Sequence, residues 1–146
     1  MKTKFRLTEE TIEIFDYSRN TTVKLHRIQA LVSFGNVMEG DMGGFVEHEC
    51  NLENSGNAWV CGDAKVYGNA EVCGDAEVCG NADYIVFKNW WSSGRFFTWT
   101  RSNNMWRVGC FYGTGEELIE KAYGDSELSG REYERIVKYV EEILKQ

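Results

Sequence analysis

Residues 56 to 85 read GNAWVC, GDAKVY, GNAEVC, GDAEVC, GNADYI, so glycine followed by asparagine or aspartate returns at every sixth position. Four full copies and a degenerate fifth make this a tandem repeat. Within each copy the small apolar residues sit two apart, Ala58 with Val60, Ala64 with Val66, Ala70 with Val72 and Ala76 with Val78, which is the strand period. The Gly-Asn or Gly-Asp pair punctuates it. Each hexad therefore predicts a very short strand and a corner, with alanine and valine facing a narrow interior. Trp59, Lys65, Glu71 and Glu77 are expected to face outward. So short a unit cannot bury its apolar side alone, and neighbouring units must stack.

Carried backwards in the same phase, the repeat gives CNLENS from Cys50 and GFVEHE from Gly44, with Leu52 and Val46 where later copies have alanine. In that phase His48 falls in the inward column, where it reads as a structural residue. The corner alternates Asn57, Asp63, Asn69, Asp75, Asn81. Three hexads per coil place Asn57 beside Asp75 and Asp63 beside Asn81, whereas two or four set like residues side by side. Strands about 4.8 Å apart favour the amide–carboxylate pairing. The expected fold is thus mainly β: a short three-sided β-helix over residues 44 to 83, with positions 18 apart stacked.

On either side the pattern changes. Phe5-Arg6-Leu7, Ile12-Glu13-Ile14 and Val23-Lys24-Leu25 alternate apolar with polar around a turn at Ser18-Arg19-Asn20, so residues 1 to 43 read as a β-meander cap. Residues 84 to 146 read as a C-terminal β-β-β-α-α module, with strands at Tyr84 to Phe87, Arg95 to Arg101 and Met105 to Tyr112. Thr114 to Glu117 and Ser129 to Glu132 both match the S/T-x-x-E capping box of a helix start. Tyr133, Ile136, Val137, Val140, Ile143 and Leu144 then recur at helical spacing.

The hexads resemble the hexapeptide repeat of left-handed β-helices, and left-handedness is implied by that resemblance alone. Leu25-His26-Arg27-Ile28-Gln29-Ala30-Leu31, then Gly40-Asp41-Met42-Gly43-Gly44-Phe45-Val46-Glu47, the repeats, and Gly109-Cys110-Phe111-Tyr112-Gly113-Thr114 before two helices resemble a family of uncharacterised hexapeptide-repeat proteins of bacteriophages and prophages. The resemblance spans nearly the whole chain. It implies architecture and a mobile-element origin, and brings no catalytic residues.

The chain of 146 residues carries a net charge of −7, yet Tyr84 to Gly115 holds four of the 16 basic residues, Lys88, Arg95, Arg101 and Arg107, and none of the 23 acidic ones. The same stretch holds Tyr84, Phe87, Trp90, Trp91, Phe96, Phe97, Trp99, Trp106, Phe111 and Tyr112, ten of the twenty aromatics. Arginines beside aromatic faces suit stacking on bases and pairing with phosphates. A small module must also build its core from these rings, but adjacent Trp90 and Trp91 cannot both easily face one core. Lys88, Trp90, Trp91, Arg95, Trp99, Arg101 and Arg107 are the candidate binding residues.

Nothing marks an enzyme. No G-x-x-x-x-G-K-[ST] or G-x-S-x-G element is present, and the glycines serve corners. The acyltransferase chemistry that the hexapeptide resemblance invites would use a histidine base between subunits of longer helices, and this chain offers only His26 and His48. The five cysteines are odd in number with no CxxC pair, so reduced thiols are expected and neither a zinc site nor any cofactor. The apolar runs fall far short of the roughly 20 residues that span a bilayer, which predicts a cytoplasmic protein, in the host cell if phage-encoded. The expectation is a non-enzymatic phage-type accessory protein that binds a host protein complex or an anionic ligand, nucleotide or nucleic acid, and the resemblance to phage proteins implies a counter-defence inhibitor. The alternative is a self-assembling scaffold; two caps disfavour filaments but leave room for a homo-oligomer.

Overall fold

The hexads turn on glycines in the left-handed backbone region: Gly56, Gly62, Gly68 and Gly74 have φ of 73°, 59°, 65° and 66°, a conformation that side chains disfavour. The chain leaves each ladder after two residues, so the repeats yield only β4 (Trp59–Val60), β5 (Lys65–Val66) and β6 (Glu77–Val78). The computed structural model, which describes residues 3 to 145, surrounds them with longer elements. These are β1 (Phe5–Asp16), β2 (Thr21–Ala30), β3 (Met42–Val46), β7 (Tyr84–Lys88), β8 (Phe96–Thr100), β9 (Met105–Val108) and β10 (Phe111–Gly113). Two helices end the chain, α1 (Gly115–Asp125) and α2 (Glu127–Leu144).

The expectation of a mainly β protein built on a three-sided β-helix is therefore corrected. The architecture is mixed α/β, with sheets ordered β1-β2-β3-β5, β10-β9-β8-β7 and β4-β6, and the repeats do not wind into a solenoid. Two-residue strands are too short to form a continuous wall, and they are shared between sheets. β5 pairs in parallel with β3 and joins the N-terminal antiparallel sheet, while β4 pairs in parallel only with β6.

The 18-residue spacing does bring residues together where the repeat is perfect. Trp59 lies beside Glu77, Val60 beside Val78, and Cys61 and Cys79 form a disulfide with Cα atoms 4.6 Å apart. The expected reduced pair is corrected, and Cys50, Cys73 and Cys110 remain free. Further back the phase is corrected too. Val46 pairs with Val66 and Leu52 with Val72, a spacing of 20. Val46 and Leu52 thus occupy valine positions, and the two extra residues lie in the stretch from Glu53 to Asn57. His48 is consequently exposed and not inward. Asn51 instead is fully buried, its Nδ2 donating to the carbonyl oxygens of Gly68 at 3.1 Å and Ala70 at 2.9 Å.

The alanine and valine columns are buried as expected, and each valine so enclosed contributes on the order of 1.5 to 3 kcal/mol. Trp59 departs from the outward expectation: it packs edge-on against Phe34, with ring centroids 5.4 Å apart. The same core takes in Phe5, Ile28 and Ala30 of the N-terminal sheet. There the expected meander is a long hairpin in which β1 absorbs two of the predicted strands across a bulge between Leu7 and Thr11. At the start of β3 the backbones close tightly. A Cβ on Gly43 would sit 2.5 Å from the carbonyl oxygen of Val60 and 2.7 Å from Ile28 Cγ1. Gly43→Ala is expected to cost about 2 kcal/mol by overpacking, read as a lowered midpoint in urea.

Helices α1 and α2 pack on the C-terminal sheet. Thr114 and Glu117 form the predicted capping box, but α2 starts three residues before its predicted box: Ser126 is the cap, its hydroxyl accepting from the Ser129 amide at 3.0 Å. The predicted third strand is split in two by Gly109 at φ 58°, which turns the chain between Val108 and Phe111.

Candidate anion-binding cleft

Period-two alternation gives the C-terminal sheet two different faces. Ile85, Phe87, Phe97, Trp106, Val108 and Phe111 point to the helices, where Tyr133, Val137 and Val140 meet them. Tyr84, Val86, Thr98 and Tyr112 point back to the repeats. The Tyr84 hydroxyl donates to the Lys65 carbonyl oxygen at 2.8 Å, and Thr98 Oγ1 accepts from the Glu71 amide at 3.0 Å.

This alternation divides the candidate binding residues instead of gathering them. Trp99 is fully buried in the helix-facing core, its Nε1 donating to Asn104 Oδ1 at 2.7 Å. Arg107 turns to the repeats, where its Nε lies 3.8 Å from a Glu71 carboxylate oxygen and has no hydrogen-bond partner among the described residues. Arg101 is half-buried at the β8–β9 turn, its amide donating to Asp83, and Lys88 lies over the Phe96 ring at 5.7 Å. The acid-free stretch is thus partly neutralised by acids from elsewhere in the chain. Only Trp90, Trp91 and Arg95 share one place, the loop between β7 and β8.

Asn89 organises that loop. Its side chain is buried, with Oδ1 accepting from the amides of Trp91 at 3.2 Å and Ser92 at 2.9 Å and from the Ser92 hydroxyl at 3.1 Å. The bend sends the two tryptophans apart. Trp91 goes inward, edge-on to Tyr133 at 4.9 Å, its Nε1 donating to Ser129 Oγ at 2.9 Å, while Trp90 stays 69% exposed. Arg95 follows, lying so close to Gly109 that a Cβ there would fall on its guanidinium.

Between this loop and the helices lies a cleft of about 220 Å³. Phe111, Leu118 and Ala122 form an apolar floor, Arg95, Lys121 and Ser93 ring it with donors, and Asp125 also lines it. Lys121 is 3.8 Å from Asp125, whereas Arg95 has no acidic partner among the described residues. At the back, Tyr133 accepts from Asn89 Nδ2 at 3.3 Å; burial pushes its hydroxyl above the usual tyrosine range, so it stays protonated and able to donate. The site can receive an acceptor-rich group with negative charge. Lys121 and Asn89 were missed in the sequence, since Lys121 lies on an ordinary amphipathic helix and only the tertiary fold sets it against the loop. The adjacent Trp90-Trp91 was the available signal.

No family model matches the chain, and no curated protein is similar to it in sequence. No helix of the described residues is long and apolar enough to cross a membrane, and no group of three or more metal-ligating side chains occurs among them.

Proposed function

We propose that this is a non-enzymatic binding protein whose cleft takes the phosphate end of a nucleotide-type ligand. The observation that carries the reading is the convergence of Arg95, free of any acidic partner among the described residues, with Lys121 and three hydroxyl-bearing side chains over an apolar floor. A volume of about 220 Å³ suits a phosphoryl group and part of a sugar, not a whole nucleotide. The base would lie outside, and the exposed Trp90 on the same loop offers it a face; such a stack contributes about 1 to 3 kcal/mol. The resemblance to phage proteins is the support for a host-directed role, sequestering a nucleotide in the host cytoplasm. A host protein complex as partner rests on the same resemblance. The scaffold reading relied on an open repeat face and has less support here.

Calorimetric titration with AMP, GMP and inorganic phosphate tests the proposal. Binding is expected to weaken as salt rises. Arg95→Gln and Lys121→Gln should each lose about tenfold or more in affinity with an unchanged melting temperature, because exposed charges contribute little to folding. Trp90→Ala should weaken the nucleotides and leave phosphate unaffected. Unchanged affinity in the Arg95→Gln, Lys121→Gln double variant would overturn the assignment.

A further inference from the structure

β1 is the outermost strand of its sheet and pairs with β2 alone among the described residues. Outer strands are usually blunted by lysines, prolines, bulges or a covering element, because their free amides and carbonyls are a template for another chain. A bulge between Leu7 and Thr11 blunts the first half of β1, but Thr11 to Asp16 run in unbroken register against His26 to Thr21. The strand contains neither lysine nor proline. Among the described residues no backbone hydrogen bond reaches Thr11 to Asp16 from any element but β2. The opposite treatment is found at β6, where the outward amides of Glu77 and Cys79 donate to Ser102 Oγ and Asp83 Oδ2, each at 2.8 Å. The edge at β6 is closed by side chains, and the edge at β1 is left open.

The open run also has a defined chemistry. On one face Ile12 and Ile14 are half-buried and lean on Val23, Leu25 and Phe45. On the other, Glu13 and Phe15 are exposed, and Tyr17, just beyond the strand end, meets Phe15 edge-on at 4.8 Å. Thr8 to Tyr17 holds Glu9, Glu10, Glu13 and Asp16 and no basic residue. Arg27 engages Glu10 at 2.8 Å and Arg19 engages Asp16 at 2.6 Å, whereas Glu9 and Glu13 have no ionic partner among the described residues. An acidic edge on a chain of net charge −7 repels a second copy of itself and attracts a cationic strand. Carboxylates beside exposed aromatic faces suit lysine or arginine, through ion pairing and cation–π contact. We infer that β1 takes an extended basic segment of a partner protein as an added strand, its backbone paired along Thr11 to Asp16. Its basic side chains lie against Glu13, Phe15 and Tyr17, and its apolar ones beside Ile12 and Ile14.

Titration of the full chain with a fluorescein-labelled heptapeptide of alternating lysine and valine tests this, with amide hydrogen exchange as the second readout. The peptide is expected to bind and to slow exchange within Thr11 to Asp16. A counterpart methylated at every backbone nitrogen keeps the charge but loses the donors, and should bind about tenfold or more weakly, as the loss of several ladder hydrogen bonds entails. The double variant Glu9→Gln, Glu13→Gln changes exposed residues only and should lose about fivefold in affinity with an unchanged melting temperature. Absence of binding, equal binding of the methylated peptide, or protection that falls on other residues would overturn the inference, the last two by showing attraction to an acidic surface without strand addition. A concentration-dependent dimer of the parent that protects Thr11 to Asp16 without peptide would also overturn it, by placing a second copy on the edge. This edge shares no residue with the anion cleft, so Arg95→Gln should bind the peptide as the parent does.

Discussion

Trp99→Ala is expected to lower the unfolding free energy by about 3 to 5 kcal/mol, the range for removing a fully buried large aromatic ring. Trp99 is 0% exposed, stands opposite Trp106 across the β8–β9 ladder, and fixes Asn104 through its Nε1. Its removal leaves a cavity between the sheet and the helices. Denaturation in urea would show a strongly lowered midpoint. The contrast with Trp90→Ala is the informative one: Trp90 is 69% exposed, so its loss should leave the midpoint within about 0.5 kcal/mol. Equal effects of the two changes would mean that the loop and the core have been assigned the wrong way round.

Stability should also rise with pH through the alkaline range on account of Lys4. Lys4 is 3% exposed, and its ammonium donates to the Ala58 carbonyl oxygen at 2.7 Å and lies 4.8 Å from the Phe34 ring centroid. Burial lowers its pKa from 10.5 to about 8, partly opposed by the Glu53 charge. Below about 8 both states hold the proton and the folded state bears the cost of enclosing it. Between about 8 and 10.5 the unfolded chain keeps a proton that the folded chain has released, so stability rises with pH. Over the whole window the gain is about 3 kcal/mol. Other groups pull the opposite way higher up. Burial pushes the Cys73 thiol from 9.0 up to about 12 and raises the Tyr84 hydroxyl, so each favours unfolding once the unfolded group ionises. The measurement is therefore the difference between the parent and Lys4→Met, by urea denaturation from pH 7 to 10.5. That difference should move in favour of the parent by about 3 kcal/mol. A difference that stays flat with pH would show that Lys4 titrates normally.

The parts of the structure legible in the sequence are those set within a few residues. Gly62 and Gly74 announce corners because backbone conformation is a local property, and the Ala64–Val66 and Ala76–Val78 spacing gives the buried side of each hexad. Thr114 and Glu117 lie three apart and satisfy each other's amides, so the start of α1 needed no knowledge of the rest. Ser129 matched the same pattern but belongs to the interior of α2, where its hydroxyl serves Trp91 from the other side of the module. A local pattern could not reveal that distant claim. Nor could the doubled tryptophan show its outcome beyond predicting that the two rings part.

What the sequence determined by itself is the hexad with its glycine corners, the small apolar column, the amphipathic face of α2 and the first helix cap, since each depends on conformation and periodicity over a handful of neighbouring residues. The tertiary structure alone decided which sheet received each two-residue strand, because a strand so short carries too little pairing energy to choose a partner without the packing around it. It also decided the two-residue slip near Asn54 and the division of Arg95 from Arg107. Those two arginines look alike in the sequence. Arg95 reaches the cleft from the loop before β8, whereas Arg107 sits in β9 on the sheet face that meets the repeats.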